Sequence, residues 1–311
     1  MRVKIKRKVN NMKTPWWFLR KTPLSFILWP IGWLYYLIGR VVFVLRSIRP
    51  LKSRRKIICV GNILAGGVGK TPIVRQIATR LDAPVVMRGY KKSKDFADAG
   101  DEATMLARDG LVVHVGDRKS NIILLNKQSD NTPIVMDDGF QNPSIKKDIS
   151  VLVFDEGLGY GNGLLLPAGP LREPKGAVRR ADAIIVIKNS THKKNFSLPV
   201  GVPTFFAKNI TRSPYDERVK LVAFAGIGYP KKFFRCLNNV VATRSFADHW
   251  QYTEDDLKKL FALADKHKAK LVTTEKDWVR LPEYAREKIK FAKLDTEIEG
   301  AFWNWLGEKI K

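Results

Sequence analysis

Acidic side chains are missing from the first quarter of this 311-residue chain: none precedes Asp82, whereas 18 Lys or Arg do. The other 230 residues carry 38 basic and 30 acidic side chains, so most of the net charge of +26 belongs to an N-terminal segment. Cysteine is nearly absent. Cys59 and Cys236 alone exclude a disulfide scaffold and a cysteine-based zinc cluster, and they suit a reducing compartment. Histidine is scarce as well, at four residues. Neither disorder nor a polytopic membrane protein fits a chain that is 45% apolar and 28% charged. What remains is length for about two domains with real cores.

Aromatics lie among the N-terminal charges. Residues 16–45 hold Trp16, Trp17, Trp29, Trp33, Tyr35 and Tyr36, and residues 24–39 form a sixteen-residue stretch without charge. As a helix that stretch reaches about 24 Å, short of a ~30 Å hydrocarbon core. Continuation to Leu45 would just suffice, with a kink expected at Pro30 and Gly32. No small-residue cleavage site follows, so it does not read as a signal peptide. Eight Lys/Arg precede the stretch and six follow it between Arg46 and Lys56, and positive flanks on both sides oppose a single crossing. Segment 1–50 is therefore expected to dock, peripherally or monotopically, on an anionic membrane surface. A true span and a buried helix under a basic tail are the alternatives. Nucleic acid is not expected as a partner, because the apolar run exceeds what base stacking requires.

The strongest local signal follows. Residues 56–60 read as a buried strand, and they run into Gly61-Asn62-Ile63-Leu64-Ala65-Gly66-Gly67-Val68-Gly69-Lys70-Thr71 and then a helical pattern. Strand, glycine-rich turn, Lys-Thr and helix make the context of a phosphate-binding loop. Residues Leu64, Ala65, Gly66, Gly67, Val68, Gly69, Lys70 and Thr71 are expected to hold phosphate. Backbone N–H groups would cradle phosphate, Lys70 would reach the β- and γ-phosphates, and Thr71 would offer a hydroxyl to Mg²⁺. One departure stands out: the strict pattern has glycine where this chain has Leu64.

Mg²⁺ requires hard oxygen ligands near the carboxyl ends of neighbouring strands. The apolar run 132–136 ends in Asp137-Asp138-Gly139-Phe140-Gln141, which places two acids there. From spacing alone Asp101 reads as a helix N-cap, Glu173 as a surface charge, His114 as a core residue and His249 as a loop residue before a helix.

Taken together these strings resemble the tetraacyldisaccharide 4′-kinases, the lipid A 4′-kinases of Gram-negative bacteria. The resemblance is carried by the loop 60–71, Arg88-Gly89-Tyr90-Lys91, Ala99-Gly100-Asp101-Glu102, Asp137-Asp138-Gly139-Phe140-Gln141 and Leu165–Pro174 with its Leu-Arg-Glu-Pro. It continues through Arg180-Ala181-Asp182-Ala183, Asp248-His249 and Thr273-Thr274-Glu275-Lys276-Asp277. It implies transfer of the ATP γ-phosphate to the 4′-hydroxyl of a lipid A precursor disaccharide. The phosphate held by residues 64–71 would be that of ATP. Asp101 and His249 would be catalytic, Arg172 would bind ATP, and Asp137, Asp138 and Glu173 would join Thr71 at the metal. The location implied is the cytoplasmic face of the bacterial inner membrane, with no obligate protein partner. The family usually follows its Asp-Asp-Gly-Phe-Gln with His, where this chain has Asn142.

Strand runs at 57–60, 84–87, 111–115, 133–136, 151–154 and 184–187 predict an α/β fold, a mostly parallel core like that of P-loop NTPases. Runs at 219–225, 240–246, 269–274 and 289–294 predict a smaller second α/β domain. The expected organisation is a docking segment 1–50, a kinase core 51–212 and a second domain 213–311, with a cleft bringing His249 toward Asp101. A membrane-associated P-loop ATPase acting as a conformational switch is the alternative function.

Overall fold

The computed structural model describes residues 16–88, 100–188, 196–228, 230–248 and 250–311. Residues 1–15 of the docking segment, His249, and the loop between Arg88 and Gly100 with Lys91 lie outside them. The chain forms two compact units, one comprising Trp16–Ile210 with Leu294–Lys311 and the other centred on Thr211–Lys293.

In the first unit the strands are β1 (Ile57–Gly61), β2 (Val85–Met87), β3 (Val113–Val115), β4 (Ile134–Asp137), β5 (Ile149–Asp155), β6 (Ala183–Lys188) and β7 (Thr204–Arg212). Their order is β3-β2-β4-β1-β5-β6-β7, and the pairings are parallel. β1, β5 and all but the end of β6 are buried on both faces, which is why their sequences are nearly continuous in Ile and Val. β1 lies between β4 and β5, and its register sets Val60 beside Asp137. The loop that leaves β1 therefore emerges at the end of the sheet where the acids of β4 also emerge. Helices α2 (Lys70–Leu81), α3 (Asp101–Arg108) and α4 (Arg118–Asn126) follow β1, β2 and β3.

The first helix, α1 (Pro23–Ser47), is continuous through Pro30. Thr22 caps it reciprocally with Ser25: the Ser25 N–H donates to the Thr22 hydroxyl and the Thr22 N–H to Ser25 Oγ. Gly32 has a packing role in place of the expected kink, since a Cβ there would sit 3.2 Å from the carbonyl oxygens of Leu165 and Leu166. Ser25 and Gly32 are buried, while fourteen large apolar side chains between Leu24 and Leu45 stay exposed. Trp17 Nε1 donates to the Pro167 carbonyl and Asn162 Nδ2 to the Trp17 carbonyl, so the segment ahead of α1 is tied to the same 162–168 loop.

The second unit orders β8 (Leu221–Ala225), β9 (Val240–Ser245), β10 (Lys270–Thr274) and β11 (Lys290–Ile298) as β9-β8-β10-β11, again parallel. Its helices are α5 (Pro230–Phe234), α6 (Glu254–His267), α7 (Glu275–Trp278) and α8 (Glu283–Lys288). The Thr-Thr-Glu-Lys-Asp string is a structural lock here. The buried Asp277 accepts from the Gly226 N–H, the Tyr252 hydroxyl and the Thr274 hydroxyl, and pairs with Arg280.

The strand spacing assigns 213–311 to the second domain, whereas residues 294–311 group with the first unit. The reason is α9 (Gly300–Ile310), whose Phe302 and Leu306 are buried in the first unit's core, with the Phe302 ring 5.5 Å from that of Phe205. Phe302→Ala should thus lower stability by about 3–5 kcal/mol. The loss should appear as weaker hydrogen-exchange protection of β1 and β5 in the first unit. Protection lost only in β8 and β10 would contradict this placement.

Candidate active site

Gly61 ends β1 because nothing larger fits: a Cβ there would lie 2.7 Å from Phe140 Cβ. The chain then turns through residues 62–69 and enters α2 at Lys70. Gly69 caps that helix with φ 85°, a left-handed conformation suited to glycine. Leu64, the departure from the strict pattern, is explained by what it touches. It is buried and forms an antiparallel bridge with Leu171. On either side, the Ala65 N–H donates to the Pro170 carbonyl at 2.7 Å and the Arg172 N–H to the Ile63 carbonyl at 2.8 Å. The front of the loop is thus a short extended rung, which favours a β-prone apolar side chain over glycine.

This pairing aims Arg172 at the acids. Its NH1 donates to both Asp138 oxygens, at 2.9 and 3.0 Å, and Lys70 Nζ stands 3.2 Å from Asp138 Oδ1. Lys70 also donates to Asn62 Oδ1 at 3.3 Å. Burial pushes the Asp138 carboxyl up, but the two cations overcome this and hold it below the ordinary range. Asp138 has φ 49°, so its backbone adopts a left-handed conformation at this junction.

Asp137, one residue earlier, behaves oppositely. It is 5% exposed, and its Oδ1 is buried without a hydrogen-bond partner. Burial, against the pull of Lys70 and with the push of Glu102 and Asp138, raises its carboxyl to about 7. An unsatisfied buried carboxylate oxygen in a Lys-Thr loop environment fits one ligand of a hard divalent cation. Among the described residues no three His, Cys, Asp or Glu side chains converge on a point, so such an ion would draw its other ligands from hydroxyl, phosphate and water.

Glu173 follows Arg172 but turns to Arg180, whose NH2 donates to Glu173 Oε2. Burial raises the Glu173 carboxyl, opposed by Arg180, Arg40 and Lys147. Asp101 begins α3 after Gly100, which holds the N-cap position, so Asp101 and Glu102 both lie in the helix's first turn. His114 is half-buried on β3, its Nε2 without a partner, and burial lowers its pKa.

Two residues escape a reading of the sequence. Arg118 NH2 donates to the carbonyls of Asp137 and Asp138, at 2.7 and 3.1 Å, and fixes the backbone of the acid pair. A signal is present: Asp117 caps α4 through Ser120, which puts Arg118 at the first helical position. Gln141 Nε2 donates to the Asn62 carbonyl at 2.8 Å and ties the acid loop to the phosphate loop. Asn142 accepts from Ser144 and so serves the turn.

The raised Asp137 carboxyl makes a signed prediction. The folded state binds a proton that the unfolded state has lost between pH ~4 and ~7, so stability should fall as pH rises through that window. The loss is at most about 4 kcal/mol. Asp137→Asn should flatten the decline between pH ~4 and ~7 in thermal melts without added metal, and an undiminished slope would show that another group causes it.

The family profile "LpxK: Tetraacyldisaccharide-1-P 4'-kinase" matches residues 24–311. A tetraacyldisaccharide 4′-kinase of Rickettsia bellii is 34% identical over 294 residues, spanning 86% of this chain and 89% of that protein. One from Paramagnetospirillum magneticum is 37% identical over 304 residues, spanning 89% of this chain and 92% of that protein. The crystal structure of Aquifex aeolicus LpxK in complex with ATP is similar with a TM-score of 0.75 at 27% identity, covering 92% of this chain and 99% of that one. The chain belongs to the tetraacyldisaccharide-1-P 4′-kinase family.

Proposed function

We propose that this chain transfers the ATP γ-phosphoryl group to the 4′-hydroxyl of a tetraacyl glucosamine disaccharide 1-phosphate, a lipid A precursor, using the loop 64–71 and the residues gathered around Asp138. Family membership supports the reaction, and it disfavours the ATPase-switch alternative. The observation that carries the residue assignment is the convergence of Lys70 and Arg172 on one carboxylate at the mouth of the glycine-rich turn. Two cations that share an aspartate at the loop form a ready-made clamp for phosphate oxygens. On ATP binding Lys70 turns from Asp138 to the β- and γ-phosphates, and Arg172 steadies the charge that develops on the transferred group. Asp138 keeps both cations oriented in the interval.

Asp137 and Thr71 fit Mg²⁺, with Asp138 and Glu173 as further candidates from the family resemblance. When bound, the ion supplies charge neutralisation for the phosphates. Asp101 takes the proton of the attacking hydroxyl, a contribution on the order of 10²–10⁴-fold. His249 enters as its partner on the resemblance alone. Lys70→Ala should leave less than about a tenth of the transfer rate from radiolabelled ATP to the disaccharide, since a charge clamp in a closed site is worth several kcal/mol. Near-normal transfer would place ATP elsewhere.

The chain works at an anionic membrane surface, on the cytoplasmic face of the inner membrane, with α1 as its docking element. A helix of 25 residues with fourteen exposed large apolar side chains supports this, as do the basic flanks. Replacing Trp29 and Trp33, both exposed on α1, by Ser should weaken binding to phosphatidylglycerol vesicles and raise the KM for lipid several-fold. The KM for ATP should stay within about twofold, because the change leaves the phosphate loop intact. Unchanged vesicle binding would count against α1 as the anchor.

A further inference from the structure

The string Arg180-Ala181-Asp182-Ala183 has no part in the chemistry derived so far. Asp182 is accounted for by structure, since its carboxylate accepts the Ser150 N–H at 2.8 Å and joins the starts of β5 and β6. Arg180 is different. Its guanidinium pairs with Glu173, the residue after Arg172. It also contacts two rings, lying 4.7 Å from the centroid of Phe140 and 5.3 Å from that of Phe43.

These rings come from distant parts of the first unit. Phe140 belongs to the acid loop; it is buried, its Cβ lies against Gly61, and its carbonyl faces Lys147 Nζ at 3.4 Å. Phe43 is on α1, half-buried, on the side of the helix that also carries Ser25, Gly32 and Tyr36. Arg40 approaches the same ring at 5.1 Å and contributes to the field at Glu173. One planar cation thus links the apolar helix, the acid loop and the segment that carries Arg172. A guanidinium suits this place because it can stack on rings while its edge pairs with a carboxylate.

We propose that Arg180 is a positioning residue for phosphoryl transfer, held by Phe43 of α1, so that α1 supports the phosphate site as well as the docking of the protein. The proposal rests on the kinase reading and adds a second task for α1. Arg180 touches neither the phosphate loop nor Asp137 and Asp138. It acts by fixing Glu173 and the Phe140 ring, and through them the flanks of Arg172 and of the acid pair.

The two tasks of α1 are separable, because Phe43 is not among the fourteen exposed apolar side chains. Phe43→Leu removes the ring but keeps apolar bulk, and Phe43→Tyr keeps the ring. Arg180→Lys keeps the charge but loses the planar fork. Each variant of the full chain would be assayed for vesicle affinity, kcat and both KM values on phosphatidylglycerol vesicles that contain the disaccharide.

Phe43→Leu should lower kcat about three- to tenfold with vesicle affinity unchanged, and Phe43→Tyr should retain most of the rate. Arg180→Lys should lower kcat by a similar factor, and the double variant Phe43→Leu/Arg180→Lys should be little worse than Arg180→Lys alone, as expected of residues that act as one unit. A wild-type kcat in Phe43→Leu, vesicle affinity falling together with kcat, equal losses in Phe43→Leu and Phe43→Tyr, or losses that multiply in the double variant would each overturn the proposal. If Phe43→Leu does not fold, Arg180→Lys and Phe43→Tyr still decide, since the first must lose kcat and the second must keep it. An unaltered protein that transfers no phosphate strikes the kinase reading, whereas normal transfer beside an indifferent Phe43→Leu strikes only this proposal.

Discussion

The arrangement of the candidate phosphate site depends on one short piece of antiparallel pairing, the bridge between Leu64 and Leu171 with its flanking backbone hydrogen bonds. The two leucines are far apart in the chain, with most of the first unit's strands between them, so chain proximity does nothing to join the two segments. Backbone groups do it instead. Each N–H and carbonyl in this rung is a buried polar group that must find a partner, and the partner it finds fixes the next residue's side chain. Arg172 is that next residue. Its reach to Asp138 follows from the rung, and so does the presence of leucine where a freer loop would carry glycine.

Two adjacent aspartates then acquire opposite characters. Both are largely withdrawn from water, yet Asp138 has two cations within 3.2 Å and Asp137 has an oxygen with no donor. Desolvation acts on both, and only the local charge distinguishes them. The junction makes this difference possible, because Asp137 is the last residue of β4 whereas Asp138 follows it with a left-handed backbone. Arg118 holds the pair by its carbonyls and leaves both carboxylates available.

The elements most legible in the sequence are those whose signal is local. The buried strands of the first unit come through as apolar runs, and the Lys-Thr loop through its glycines and the strand ahead of it. β7 escapes because its residues mix polar and apolar types with neither a regular alternation nor the dense Ile/Val run of β5 or β6. The return of α9 to the first unit is also invisible, since an amphipathic helix states that it has a partner without naming it. At the site, Asp137, Asp138 and Lys70 are legible as types at strand and helix ends. Arg118 is not, because its role is to donate to backbone carbonyls, and no sequence pattern marks the acceptors. Glu173 reads from spacing as a surface charge and joins the acids only through the family resemblance, and its pairing with Arg180 depends on a turn that spacing cannot describe.

The helix α1 has a surface compatible with two solvents. Its contact side combines the buried Ser25 and Gly32, which let its backbone approach the 165–166 carbonyls closely, with the half-buried Tyr36 and Phe43. The remaining circumference carries the large apolar side chains. In water that surface is a liability far beyond the patches soluble monomers tolerate; against lipid it is the favourable face. Pro30 is compatible with this because the helix continues through it, as helices with a packed face can. Since α1 belongs to the same compact unit as the phosphate loop, whatever fixes α1 at a surface also fixes the orientation of Lys70, Asp137 and Arg172 relative to that surface. For an acceptor whose chains remain in lipid while its sugar reaches out, the docking proposed for α1 would supply that fixed geometry, because the entropy of orienting the reacting groups would then be removed before the encounter.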